Sequence, residues 1–209
     1  MSTFDPAFNE IWYTNGSTTK ATNPYKLDAF GANIISNAYD YNKQCWVISF
    51  DKEIRIIGEQ AFASCADLIQ VSLPDSVRII NKQAFMHCSR LKEIPKAKNV
   101  AYYGFAAFQS CNSLCIVDIP DGVERIRGFV FFDCRNLRKV TIPKSVKEIG
   151  LRAFSWRNHL THVYCKSIIP PTTLRLDNQW NAFDYYDDDN VSPPCAFKDN
   201  ICKIFVPTE

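Results

Sequence analysis

Apolar positions along the chain recur on one fixed interval. Phe62, Phe85, Phe108, Phe131 and Phe154 stand 23 residues apart. Cys65, Cys88, Cys111 and Cys134 follow three residues behind, with Arg157 in that slot of the fifth copy. Leu68, Leu91, Leu114, Leu137 and Leu160 keep the interval, and so do Val71, Ile94, Val117, Val140 and Val163. Leu73, Ile119 and Ile142 form a column that Lys96 and Cys165 interrupt. Ile54, Val77, Val100, Val123 and Val146, then Ile57, Ile80, Tyr103, Ile126 and Ile149, complete the unit. A unit this short cannot bury its own apolar edge, so copies stack and matching positions meet in ladders through a continuous core.

Each half of the unit predicts an element. Leu-x-x-Val-x-Ile alternates branched residues and reads as a short strand with one face in and one face out. Pro74, Pro120 and Pro143 end it, because proline lacks the ladder donor. Val-x-x-Ile and Ala-Phe-x-x-Cys have spacings of three and four, which read as turns or single helical turns held by stacking. The expected fold class is therefore α/β: strands on one side of each coil, short helical or turn segments on the other, seven strands in all. Residues 1–37 lie outside the period and read as a cap with a hairpin, Ile11 to Thr14 and Ser17 to Lys20 around Asn15-Gly16. Residues 38–165 are the solenoid. Residues 166–209 read as a last copy stretched by an insertion and closed by a strand from Ile201 to Val206.

Composition narrows the chemistry. The chain has 209 residues, 46% of them hydrophobic, and 24 Lys plus Arg against 22 Asp plus Glu. That is a folded domain too balanced in charge for electrostatic nucleic-acid binding. No apolar run approaches the ~20 residues that span a bilayer. The first ten residues carry neither a basic stretch nor an apolar one of the kind that begins a secretory signal. Nine cysteines invite a disulfide or metal reading. The Cys65, Cys88, Cys111 and Cys134 column instead reads as packing, with thiols set to meet backbone carbonyls, and free thiols favour a reducing compartment, hence the cytoplasm. Cys195 and Cys202 are the one pair that invites oxidation. His159, His162 and Cys165 have zinc-like spacing, but the register points them apart, so no metal is assigned. Asp184 to Asp189 gathers four carboxylates without the spacing of a calcium loop and reads as solvated. No phosphate loop, nucleophile elbow or convergent titratable set is present, so neither an enzyme nor a cofactor is expected.

The unit Ala-Phe-x-x-Cys-x-x-Leu-x-x-Val-x-Ile-Pro resembles the BspA-type leucine-rich repeat family, over roughly residues 45 to 165. Asn9-Glu-Ile-Trp-Tyr-Thr and Phe30-Gly-Ala-Asn-Ile-Ile-Ser-Asn resemble the N-terminal cap of its Bacteroides members. The resemblance implies a right-handed curved solenoid with a parallel sheet on its concave side. It also implies an adhesion or interaction role for surface members, a cell-surface or secreted address if a leader is removed, and no enzymatic activity.

What remains is the outward face of the strands. One row reads Val47, Gln70, Glu93, Ile116, Lys139 and His162; a second reads Ser49, Ser72, Pro95, Asp118, Thr141 and Tyr164; a third reads Trp46, Ile69, Lys92, Cys115, Arg138 and Thr161. Their chemistry varies where the core columns do not. Trp46, Ile69, Ile116 and Cys115 supply an apolar centre; Lys92, Glu93, Asp118, Arg138 and Lys139 supply a charged rim, an interface-like arrangement. The expected function is a non-enzymatic, monomeric interaction module holding a protein, or a glycan, on this face through Trp46, Ile69, Gln70, Lys92, Glu93, Ile116, Asp118, Arg138, Lys139, Thr141, His162 and Tyr164. The alternative is a structural spacer within a larger surface protein. The first predicts that charge reversal at Lys92 and Arg138 loses affinity without loss of fold; the second predicts that it leaves every partner interaction intact.

Overall fold

The computed structural model describes residues 6–95, 97–155, 159–169, 171–173 and 203–205. Among these the strands are β1 Glu10–Thr14, β2 Ile34–Asp40, β3 Cys45–Phe50, β4 Ile56–Ile57, β5 Gln70–Ser72, β6 Ile79–Ile80 and β7 Tyr102–Tyr103. β8 Ile116–Asp118, β9 Arg125–Ile126, β10 Lys139–Ile142, β11 Glu148–Ile149, β12 His162–Cys165, β13 Thr172–Thr173 and β14 Lys203–Phe205 follow.

Two parallel sheets run along the stack. β8, β10, β12 and β14 pair in chain order, with Ile116 beside Lys139 and Lys139 beside His162, one full period apart. β4, β6, β7, β9, β11 and β13 pair likewise, with Ile57, Ile80, Tyr103, Ile126 and Ile149 in one row. Each strand is too short to persist alone and is held by the coils on either side. The prolines close the first turn after the strand, since the N–H groups of Val77, Val123 and Val146 donate to the carbonyls of Pro74, Pro120 and Pro143.

The architecture is an all-β solenoid, which corrects the expected α/β class. The segment read as a turn or helical turn from its Val-x-x-Ile spacing contains the second sheet. The Ala-Phe-x-x-Cys segment is a set of turns whose backbone cannot be helical. Gln60, Gln83, Ala106, Phe129 and Arg152 sit two residues before each ladder Phe with φ between 52° and 61°. Ser64, His87, Ser110 and Asp133, two residues after it, have φ between 57° and 62°. Left-handed residues flanking a right-handed stretch forbid an α-helix. They also aim alternate N–H groups at the next coil: Phe62, Phe85, Phe108 and Phe131 donate to the carbonyls of Ala84, Ala107, Val130 and Ala153 at 2.8–2.9 Å.

The core is the set of ladders. Phe62, Phe85, Phe108, Phe131 and Phe154 stack with centroids 5.2–5.6 Å apart and rings within 12° of parallel. Cys88, Cys111 and Cys134 donate their thiols at 3.1–3.2 Å to the carbonyls of Phe62, Phe85 and Phe108 in the preceding coil. The seven described cysteines are free, so the column packs and hydrogen-bonds as expected.

The N-terminal end departs from the hairpin expectation. β1 forms, but Ser17 to Lys20 is not a strand. β1 runs antiparallel between β3 and β5, and β2 runs antiparallel to β3 on the other edge. Asn15 holds the intervening loop instead, its amide donating to Lys20 and Thr22 and its carbonyl accepting from the N–H of Ser17. Phe30 then packs on Phe50 at 5.0 Å and Phe62 at 5.5 Å, closing the aromatic ladder. The expected row of seven parallel strands is interrupted at residues 93 to 95, where no strand forms. Pro95 occupies the register position of Ser72, Asp118 and Thr141 and has no N–H for the ladder.

Candidate partner-binding face

Strand alternation sets the face. Val117, Val140 and Val163 point into the core, while Ile116, Asp118, Lys139, Thr141, His162 and Tyr164 point out, each exposed or half-buried. Gln70 and Ser72 continue the outward pattern on β5. Ile116 is 53% exposed. Lys92 and Arg138 are exposed, and Glu93 and Ile69 half-buried, on the approaches to the strands. Lys92 and Arg138 donate their N–H groups to Ile69 and Cys115, which keeps this third row in register.

Several side chains on the face interact. Lys139 places its ammonium 4.7 Å from the Tyr164 ring centroid, and His162 stacks on the same tyrosine at 6.0 Å. The His162 Nδ1 is 2.9 Å from the Thr161 hydroxyl, and Gln70 donates to Glu93 at 3.2 Å.

Trp46 is the exception among the expected residues. It is only 7% exposed, stacks on Tyr13 at 6.2 Å and donates its indole N–H to the carbonyl of Ser17. The interposed β1 reverses the register there: Trp46 is opposite Tyr13 on the core side, and Trp12, opposite Ser72, takes the outward place. Trp12 was missed, although Glu10-Ile11-Trp12-Tyr13-Thr14 alternates half-buried and buried as a two-faced strand should. Lys43 lies 4.9 Å over its ring and Glu10 accepts its indole N–H at 2.7 Å. A second missed feature is the aromatic cluster Phe105, Phe129 and Phe132, with centroids 5.0–5.2 Å apart. Phe105 is 44% exposed and lies beside Gly128, and only the absence of the equivalent side chains in the other copies marks it in the sequence.

The other candidates diverge as the register requires: His159 is exposed, His162 half-buried and Cys165 in the core, and no metal-competent cluster occurs among the described residues. The acidic run Asp184 to Asp189, Cys195 and Cys202 lie outside the described residues.

Coils of this length, stacked in register around leucine and phenylalanine ladders, define a leucine-rich-repeat solenoid. The family described as BspA type leucine-rich repeat region (6 copies) matches residues 32–161, and the chain belongs to it. Membership identifies a non-catalytic repeat scaffold. A leucine-rich cell surface protein of Faecalibacterium prausnitzii is 34% identical with a TM-score of 0.53, over 56% of this chain and 31% of that one. The chain thus spans about a third of that protein's length. A T. pallidum leucine-rich repeat protein is 24% identical with a TM-score of 0.48, over 63% of this chain and 68% of that one. A Bacteroides ovatus leucine-rich repeat protein is 23% identical with a TM-score of 0.34, over 55% and 44%. No curated protein matches the chain.

Proposed function

We propose that the chain is an adhesion-type module that holds a protein partner across the outward face of β5, β8, β10 and β12. The observation that carries this reading is the contrast within each strand: one face repeats the same buried valine, while the other sets an exposed Ile116 among Lys139, Arg138 and Asp118. Ile116 stands in the middle of the outward row with charged side chains on both sides, and an apolar contact inside a charged rim is what interfaces present. The likeness to a protein described as a cell surface protein supports a surface address. Reduced ladder thiols are compatible with that address, because Cys88, Cys111 and Cys134 are fully buried and out of reach of oxidants.

The spacer reading draws on the chain's matching only 31% of that surface protein. Lys92→Glu combined with Arg138→Glu separates the two. Both residues are exposed, so folding is expected to be unchanged. With wild type and variant immobilised side by side, proteins held by the first and lost from the second support the binding module. Identical retention on both, or none on either, supports the spacer.

A further inference from the structure

We propose that the partner's contacting segment is acidic, with carboxylates flanking a branched apolar side chain; this rests on the reading that the outward strand face is the binding face. The two sides of the coil treat their cations differently. On the side of the six-stranded sheet, cations meet carboxylates one period away: Lys82 with Glu59 at 3.3 Å, Lys98 with Asp75 at 3.1 Å, Lys147 with Glu124 at 3.8 Å and Arg125 with Glu148 at 3.9 Å. Stacking in register makes such ladders, because position n lies beside position n plus 23.

On the strand face the acids stand apart from the cations: Glu93 accepts from Gln70, and Asp118 has Thr141 beside it in the next coil rather than Lys139. Arg138 has Cys115 and Thr161 as its row neighbours, and Lys139 has Ile116 and His162. Lys92, Arg138 and Lys139 form no ion pair with any described residue. The exposed Ile116 sits on the strand beside Lys139. Lys92 and Arg138, which form no ion pair among the described residues, and Lys139, held only on the Tyr164 ring, outnumber Glu93 and Asp118 around the exposed Ile116, and that balance is complementary to a carboxylate-rich segment with an aliphatic residue at its centre. A peptide fits better than an acidic glycan. Sugar rings stack on free aromatic faces, and the Tyr164 ring already carries the Lys139 ammonium and the His162 ring. Ile116 likewise offers sugar hydroxyls nothing to bond.

The test is fluorescence anisotropy with a labelled synthetic peptide in which glutamate pairs alternate with leucine. The comparators are its lysine-for-glutamate counterpart and a heparin-derived oligosaccharide. The glutamate peptide is expected to bind and the lysine peptide not, with affinity falling as salt rises because the contacts are screened. Arg138→Glu with Lys139→Glu is expected to weaken binding about tenfold or more. Ile116→Ser is expected to weaken it about fivefold, in line with ~1 kcal/mol for one buried aliphatic contact, and to leave the salt dependence unchanged. Circular dichroism and melting confirm that each variant folds. Glutamate-peptide binding that survives the double charge reversal places the site elsewhere and overturns the face reading. Two results overturn the acidic chemistry alone, provided that protein capture still depends on Lys92 and Arg138: equal or absent binding of the two peptides, or an oligosaccharide bound more tightly than the glutamate peptide.

Discussion

At the scale of single residues, two buried polar groups carry opposite lessons. The Tyr103 hydroxyl is the one buried side-chain oxygen or nitrogen among the described residues without a hydrogen-bond partner. It occupies a column otherwise filled by Ile57, Ile80, Ile126 and Ile149, and its ring meets Phe108 edge-on at 5.4 Å. Burial pushes this phenol far above its usual range. Tyr103→Phe keeps the ring and removes the orphaned hydroxyl, so urea unfolding is expected to show a gain of about 1 kcal/mol. The cysteine column is satisfied by contrast, the Cys88, Cys111 and Cys134 thiols resting on phenylalanine carbonyls and Cys65 on that of Asn23. Burial pushes Cys134 up to about 12 and Cys88 and Cys111 well above the ordinary thiol range. A raised folded-state value stabilises the fold below the unfolded thiol's titration and loses that stability as pH climbs toward the folded value. Melting temperature is therefore expected to fall from about pH 8.5 upward, by at most ~1.4 kcal/mol of stability per pH unit for each such thiol. Iodoacetamide labelling read by peptide mapping is expected to modify the exposed Cys115 in the native chain while Cys88, Cys111 and Cys134 stay unlabelled through pH 9.5.

At the scale of elements, the sequence conveyed the columns and misassigned one of the segments between them. Strand pairing one period apart, the inward valines and the outward Ile116, Lys139 and His162 all follow from where Leu68, Leu91 and Leu114 recur. The second sheet did not, because its strands hold two residues each. Two residues cannot display alternation, and the preceding valine three positions away imitates helical spacing. The left-handed positions were equally hidden: Gln60, Gln83, Ala106, Phe129 and Arg152 share a backbone conformation, while their side chains run from amide to methyl, phenyl and guanidinium. Trp46 was placed on the outward face by extending the period into a strand that β1 separates from the stack, a pairing between distant segments that no local pattern announces. Glycine marks the close approaches more legibly. A methyl group at Gly104 would collide with the backbone of Asn81 and Lys82 in the preceding coil. Backbone cannot rotate aside, so Gly104→Ala is expected to destabilise the chain by about 1–3 kcal/mol in urea unfolding, where an exposed helical glycine would gain from the same change.

At the scale of the whole molecule, stability in a stacked chain is a sum over neighbours rather than a property of one central core. Every coil exchanges hydrogen bonds, ring contacts and ladder positions with the coil before and the coil after, so the chain melts as one only while those interfaces remain strong. Phe108 is the middle rung of the aromatic ladder. It stacks on Phe85 at 5.5 Å and on Phe131 at 5.6 Å, meets Tyr103, and is fully buried. Removing its ring cuts both stacking interfaces at once and is expected to cost about 3–5 kcal/mol. The form of the loss matters more than its size. In a globule with a single core such a cavity lowers the melting temperature and leaves one transition. Here it weakens the coupling between the capped coils before residue 108 and the coils after it. Calorimetry of Phe108→Ala is expected to give a van't Hoff enthalpy clearly below the calorimetric one, or two resolved transitions. Phe108→Leu restores most of the contact volume and is expected to keep a single, lower transition, at a cost of ~1–2 kcal/mol. One sharp transition in Phe108→Ala would mean that rungs beyond nearest neighbours support each other, and that the 23-residue period describes the geometry of the stack without describing its energetics.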